Sequence, residues 1–248
     1  MDALREVRFA LKIIRRLLVH GILNQSHNAD AVEFFKESLE CLNRLFLLEE
    51  SIVNKDNHEA MLLRKVILLF GKLYLDLQEY NTLEFVRMPG SMLVVKWYWE
   101  RIHSHADRRQ SAPGPKSHFD RLLVQGLLLF KRVLKNTIYS AGERGKYQRS
   151  SHNEDPEARA CIQELNAHLF TPGFVAQLAD TLIRGYIMLQ PEDIENWEDD
   201  PEEWLKSEEA DHYEHDSRPC AERLFMVLFA EYKGLLLPSL LAMVDQVK

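Results

Sequence analysis

The sequence predicts an all-α protein, a superhelical solenoid of antiparallel helix hairpins. Capping residues recur along the chain as helix starts, and the apolar residues between them repeat with a helical period. The 248 residues include only 10 glycines and 9 prolines, and no stretch alternates apolar with polar residues for the length of a strand ladder. An all-β architecture needs a turn every few residues, which this composition does not supply. With 46% hydrophobic and 28% charged residues, the chain has the balance of an ordinary globular protein and the length to bury a sizeable core without staples.

The first helix is read at 2–21 from the spacing of Leu4, Val7, Leu11, Ile14 and Leu18. Asp30-Ala-Val-Glu33 opens the second (30–53), Asp56-Asn-His-Glu59 the third (57–79) and Asn81-Thr-Leu-Glu84 the fourth (82–104). Each places a capping side chain three residues before a glutamate that can cap in return. Leu62, Val66, Leu69 and Leu73 line the third helix, and Pro89-Gly90 interrupts the fourth. Leu123, Leu127, Phe130, Leu134 and Ile138 line a fifth at 117–140. Asp155-Pro156 and Thr171-Pro172 put a capping residue before a proline at the first helical position, where its missing N–H costs nothing, and open helices at 156–169 and 172–189. Leu224, Leu228 and Tyr232 mark 218–233, and a last helix is read at 237–247.

Helices of this length joined by short polar turns, each too apolar to stand alone, stack as hairpins. Their period is near the ~40–47 residues of HEAT and armadillo repeats, and the ~34-residue tetratricopeptide unit fits the long helices less well. Periodicity leaves a globular helical bundle open as the alternative, since no repeat consensus identifies HEAT by itself. The organisation expected is HEAT-like repeats over 1–190, an acidic insertion at 191–216, and a further repeat at 217–248 continuing the same solenoid.

Several function classes are excluded by the residues. The longest uninterrupted apolar stretches, such as Leu127 to Phe130, fall far short of the roughly 20 residues of a membrane span, so no membrane insertion is expected. The N-terminal stretch mixes acids and bases and carries no small-residue cleavage site, so it is not read as a signal peptide. Cys41, Cys161 and Cys220 lie far apart without a CxxC and read as reduced thiols acting as small buried hydrophobes.

No GxSxG elbow, Walker A or GxGxxG is present, and no enzyme, cofactor or metal is expected. His103-Ser-His105 and His212-Tyr-Glu-His215 resemble metal-ligand pairs. Both are read in loops without a cysteine partner, and their spacings are unspecific, so they read as solvated histidines. Lys96-Trp97-Tyr98-Trp99-Glu100-Arg101 has the look of a stacking platform for single-stranded nucleic acid. On a helix, however, three consecutive aromatics point three ways, and the acidic balance of the chain also opposes nucleic acid. These aromatics read as inter-helix core.

Two polar, locally basic loops are expected at 104–117 and 141–154. The insertion, Pro191 to Asp216, holds thirteen acids against the single Lys206, a net charge of −12 in a chain of net charge −7, so the remainder carries +5. Ile194, Trp197, Trp204 and Leu205 interrupt the acids, and Asp200-Pro201-Glu202-Glu203 is a helix start with its acids favourably placed against the helix dipole. Two short helices hinged at Pro201 are expected, each pinned by a tryptophan. The residues expected to meet a partner are Glu195, Trp197, Glu198, Asp199, Asp200, Glu202, Glu203 and Trp204.

The string Glu195-Asn-Trp197-Glu-Asp-Asp-Pro201-Glu-Glu-Trp204 resembles a motif of large karyopherin-β transport receptors, with Trp204 standing where Phe or Tyr is usual. Ser217-Arg-Pro-Cys-Ala-Glu222-Arg-Leu-Phe225, Glu231-Tyr232 and Leu237-Pro238 resemble the importin-11 branch in particular. Leu11-Lys-Ile-Ile-Arg-Arg-Leu-Leu18 and Lys72-Leu-Tyr-Leu-Asp-Leu-Gln78 agree with it. The resemblance implies a HEAT-repeat receptor that binds basic nuclear cargo in the cytoplasm, touches Phe-Gly nucleoporins, and releases cargo in the nucleus when Ran-GTP binds, shuttling between nucleus and cytoplasm. Members of that family are much longer, so the chain reads as an internal segment. The alternative from another class is a HEAT-like scaffold unrelated to transport, in which the insertion only spaces two repeats.

Overall fold

The computed structural model describes residues 2–52, 57–111, 119–135, 156–189, 191–209 and 216–246, and these contain helices and turns with no strand. They divide into two compact units, Met1–Trp97 and Tyr98–Lys248.

In the first unit, α1 (Asp2–Arg16) runs into a π-turn (Leu17–Gly21), and a short 3₁₀ turn (Gln25–His27) leads to α2 (Ala29–Ser51), α3 (His58–Tyr80), α4 (Thr82–Arg87) and the start of α5 (Ser91–Ser111). Helix α3 is the centre. Leu62, Leu63, Val66, Ile67, Leu73, Tyr74 and Leu77 are all buried, and α1, α2, α4 and the π-turn lie against it. Polar pairs fix the register of these contacts. Arg15 Nε donates to Asp76 Oδ2 at 2.6 Å, tying α1 to α3. The Ser38 and Tyr74 hydroxyls meet at 2.8 Å between α2 and α3, and burial pushes the Tyr74 hydroxyl above the usual tyrosine range. Arg64 Nε donates to the fully buried carboxylate of Glu49 at 2.7 Å.

The helix starts differ in detail from the expected caps. Asn28, two residues before Asp30, caps α2 by accepting from the Ala31 N–H at 3.0 Å, and Asn57 caps α3 by accepting from the Ala60 N–H at 2.6 Å. A cap needs extended backbone with its side-chain oxygen two or three residues short of a free N–H, and the asparagines occupy that place. Asp56 lies outside the described residues. The reciprocal box at 81–84 does not form: the Asn81 side chain donates to the Val19 carbonyl at 2.8 Å, and Glu84 accepts from the Ser26 N–H at 2.7 Å. Tertiary partners outbid local ones there. The interruption at Pro89-Gly90 is as expected, with α4 ending at Arg87 and Gly90 at φ +98°, a conformation that favours glycine.

In the second unit α5 continues, followed by α6 (Asp120–Lys135), α7 (Pro156–His168), α8 (Pro172–Leu182) with a π-turn (Ile183–Ile187), α9 (Pro191–Asp199), α10 (Pro201–Glu209), α11 (Ser217–Glu231) and α12 (Lys233–Gln246). Every residue from Leu122 to Phe130 of α6 is buried. Helix α11 packs along α6 and touches α8, and α12 packs on α11 and α8. Two glycines allow close approach. A Cβ at Gly126 would meet Tyr98 Cδ1 at 2.8 Å, and one at Gly185 would meet Ala106 Cβ at 2.3 Å. Next to the second approach, the buried Tyr186 hydroxyl donates to the Ile102 carbonyl at 2.8 Å. Trp97 and Tyr98 are buried, and Trp99 stacks on His103 and meets Phe174 edge to face, so the aromatic run is core, as expected.

Four expectations are corrected. His103 and His105 lie on α5 rather than in a loop, because that helix runs on to Ser111 through the stretch read as polar loop. His103 Nδ1 is 3.1 Å from the Thr181 hydroxyl, while His105 stacks on Tyr186 and is half-buried, not solvated. Cys41 is exposed, although Cys220 is buried. The last helix begins at Lys233, so Pro238 stands inside it, where the Gly234 carbonyl loses the N–H it would otherwise meet. His212, His215, the 141–154 stretch and the side chain of Cys161 lie outside the described residues. No single described helix is long and apolar enough to cross a membrane; α11 with part of α12 passes that test only as a pair bent by 116°. Among the described residues no group of three His, Cys, Asp or Glu is arranged to hold a metal.

Two measurements check this packing. Arg64→Ala leaves the buried Glu49 carboxylate without this partner and is expected to cost about 3 kcal/mol in urea unfolding, more than Arg64→Met combined with Glu49→Leu. Burial, with Arg109 and Arg108 adding to it, lowers the His105 pKa to about 4 from 6.5. Between those values the unfolded chain binds a proton that the folded chain refuses, so this contribution to stability is complete above pH 6.5 and is lost as pH falls toward 4. His105→Gln is expected to flatten that part of the stability curve, read by unfolding at successive pH values.

Candidate protein-interaction site

The acidic segment folds as two short helices set almost end to end. Helix α9 ends at Asp199, Asp200 is the only residue between, and α10 begins at Pro201. Asp200 does three things at this junction. Its N–H donates to the Asn196 carbonyl at 3.0 Å, its carbonyl accepts from the Trp204 N–H at 3.0 Å, and its Oδ1 caps α10 by accepting from the Glu203 N–H at 2.9 Å. Proline at the first helical position asks for no hydrogen bond and fixes the backbone for the new helix. The expected hinge is therefore in place, and Asp200 is a structural carboxylate as well as a charge.

Glu195, Glu198, Asp199, Asp200, Glu202 and Glu203 are all exposed, so their carboxylates face water. The two tryptophans differ. Trp204 is half-buried, with the Arg218 guanidinium of α11 at 5.1 Å from its ring centroid, and Arg218 is itself within 3.8 Å of Glu222. A cation held over an indole face is attracted by the ring quadrupole, and this contact anchors α10 to the repeat that follows. Trp197 is 53% exposed, as are Ile194 and Leu205 to similar degrees, so the expectation that each helix is pinned by its own tryptophan holds for α10 and fails for α9. More than half of the Trp197 indole is left in solvent.

Of the eight residues singled out, seven are exposed on α9 and α10, six of them carboxylates, and Trp204 is half-buried against Arg218. Arg218 escaped the sequence reading. It lies fourteen residues beyond Trp204, and no local pattern links an arginine in one helix to an indole in another.

No family model matches the chain. Importin beta-like protein KAP120 of Saccharomyces cerevisiae is 28% identical over 247 residues, which is 99% of this chain and 23% of that protein. Importin-11 of Homo sapiens is 27% identical over 248 residues, 99% of this chain and 24% of that protein. Among solved structures, Lph2, a bidirectional nuclear transport receptor in S. cerevisiae, superposes with a TM-score of 0.80 at 29% identity, over 96% of this chain and 22% of that one. The chain resembles karyopherin-β receptors of the importin-11 branch throughout. It spans under a quarter of the length of these relatives. The fold class is the all-α HEAT-repeat solenoid that the hairpin period predicts.

The two anchoring arrangements separate by exchange of α10 amides. Trp204→Ala and Arg218→Ala are each expected to speed hydrogen exchange across Pro201–Glu209, while Trp197→Ala leaves both that exchange and the unfolding midpoint unchanged.

Proposed function

We propose that the chain acts within an importin-11-like nuclear import receptor, binding basic cargo proteins and Ran-GTP and passing the pore by contact with Phe-Gly nucleoporins. The observation that carries this reading is the exposed carboxylate surface of α9 and α10, in a chain that is similar along its whole length to nuclear transport receptors. Stacked hairpins present extended surfaces to a large partner. A strongly acidic segment beside such a surface draws in a basic partner and rejects an acidic one, acting on encounter rate and on selection by sign more than on raw affinity. The work is binding, with no bond made or broken, and the proposed molecule moves between cytoplasm and nucleus.

The test replaces charge and spares the cap. Glu198→Lys, Asp199→Lys, Glu202→Lys and Glu203→Lys together raise the charge of the insertion by eight units and leave Asp200 to hold α10. Stability is expected to change little, because these side chains are exposed. Association with Ran-GTP and with a basic cargo is expected to slow by about ten-fold at low salt, the difference closing at high salt. Unchanged association rates for both partners would leave the insertion a spacer and favour the scaffold reading.

A further inference from the structure

The two halves of the insertion carry the same chemical groups in different states of completion. At α10 the Arg218 guanidinium lies 5.1 Å from the centroid of the Trp204 ring, with Glu222 within 3.8 Å of that guanidinium. Indole, cation and carboxylate are all supplied there by the chain. One helix earlier, inside the chain between α8 and α10, the Trp197 indole is 53% exposed, and among the described residues no cation or second ring stands over it. Ile194, one turn before Trp197, is exposed on the same face of α9 and extends the apolar surface beyond the ring. Glu198 is exposed beside the indole and stands one turn after Ile194. Helix α9 therefore has the ring and the carboxylate of the Trp204 contact and lacks its arginine.

We infer that Trp197 is the platform on which an arginine of the basic partner stacks, its edge donors turned to Glu198. The inference rests on the reading that the insertion receives a basic partner, and it names the side chain that is read. A guanidinium is planar and weakly hydrated, so it can lie flat on an indole face while its N–H groups reach a carboxylate at the rim. The ammonium of lysine is compact and strongly hydrated, and it gains less from the same ring. Ile194 offers an apolar bed to the methylene stem of the arginine. An acidic side chain would meet like charge beside the ring, and an aliphatic one would cover the carboxylate edge without satisfying it. Net charge selects by sign and cannot tell arginine from lysine. The exposed indole adds a choice of side chain to that choice of sign.

The test uses the 248-residue chain and two labelled synthetic peptides of equal length and charge, their basic residues spaced by glycine and serine. One peptide is built with arginine and the other with lysine, and binding is followed by fluorescence anisotropy. The arginine peptide is expected to bind about five-fold more tightly. Trp197→Ala is expected to bring it down to the affinity of the lysine peptide and to leave the lysine peptide unchanged, while Trp197→Phe keeps part of the difference. The circular dichroism and thermal midpoint of both variants are expected to stay as they are, because the ring is exposed. Equal binding of the two peptides overturns the inference, as does an arginine preference that survives Trp197→Ala. Equal weakening of both peptides by Trp197→Ala also overturns it, since the ring is then a plain apolar contact. The four lysine substitutions at Glu198, Asp199, Glu202 and Glu203 separate this inference from the reading it rests on. If they weaken both peptides while Trp197→Ala changes neither, the basic-partner reading stands and the arginine platform falls; if they weaken neither, both fall. Trp197 shielded from acrylamide quenching in the peptide-free chain, with no arginine peptide bound, overturns the inference in favour of an occupant from the protein itself.

Discussion

A helix whose apolar residues go most of the way round its circumference must be covered from more than one side, and each unit of this protein contains one. In the first it is α3, touched by α1, α2 and α4; in the second it is α6, buried without a break from Leu122 to Phe130. Neither could persist alone in water, because every exposed leucine would forfeit roughly 1.5–3 kcal/mol of burial. The neighbouring helices are held where they are by this demand. Their own amphipathic faces, with one apolar side and one charged side, are the complement of it.

Polar contacts then choose among the packings that burial alone would accept. Arg64 with Glu49, Arg15 with Asp76 and the Ser38–Tyr74 pair each join α3 to a different position on a neighbour, and a slip of one turn would break them. In the second unit the same work is done by size. Gly126 and Gly185 remove a side chain where α5 comes closest, and the Tyr186 hydroxyl reaches a carbonyl of α5 only because Gly185 lets the π-turn lie against Ala106. Shape and hydrogen bonding thus specify what the hydrophobic effect stabilises.

The helices were legible because apolar period and breaking residues are local properties: Pro89-Gly90 ended α4, Thr171-Pro172 opened α8, and Asp200-Pro201 opened α10. The errors fall where a distant partner decides. Asn81 and Glu84 had the spacing of a reciprocal cap, yet Val19 and Ser26 claimed them across the chain. The polar composition after Ser104 looked like a loop, but helix α5 extends to Ser111. At the insertion the charge and the hinge were readable from composition. Which tryptophan is anchored was not, since it depends on Arg218 in another helix.

The ends of α9 and α10 meet their acids in opposite electrical conditions. Glu202 and Glu203 stand at the start of α10, where the helix dipole welcomes negative charge, whereas Glu198 and Asp199 stand in the last turn of α9, where it does not and where no basic residue offsets them. Helix α9 is thus electrostatically frustrated in isolation. A positive group arriving at that end relieves the conflict and firms the helix, and by reciprocity a firmer helix holds the positive group more tightly.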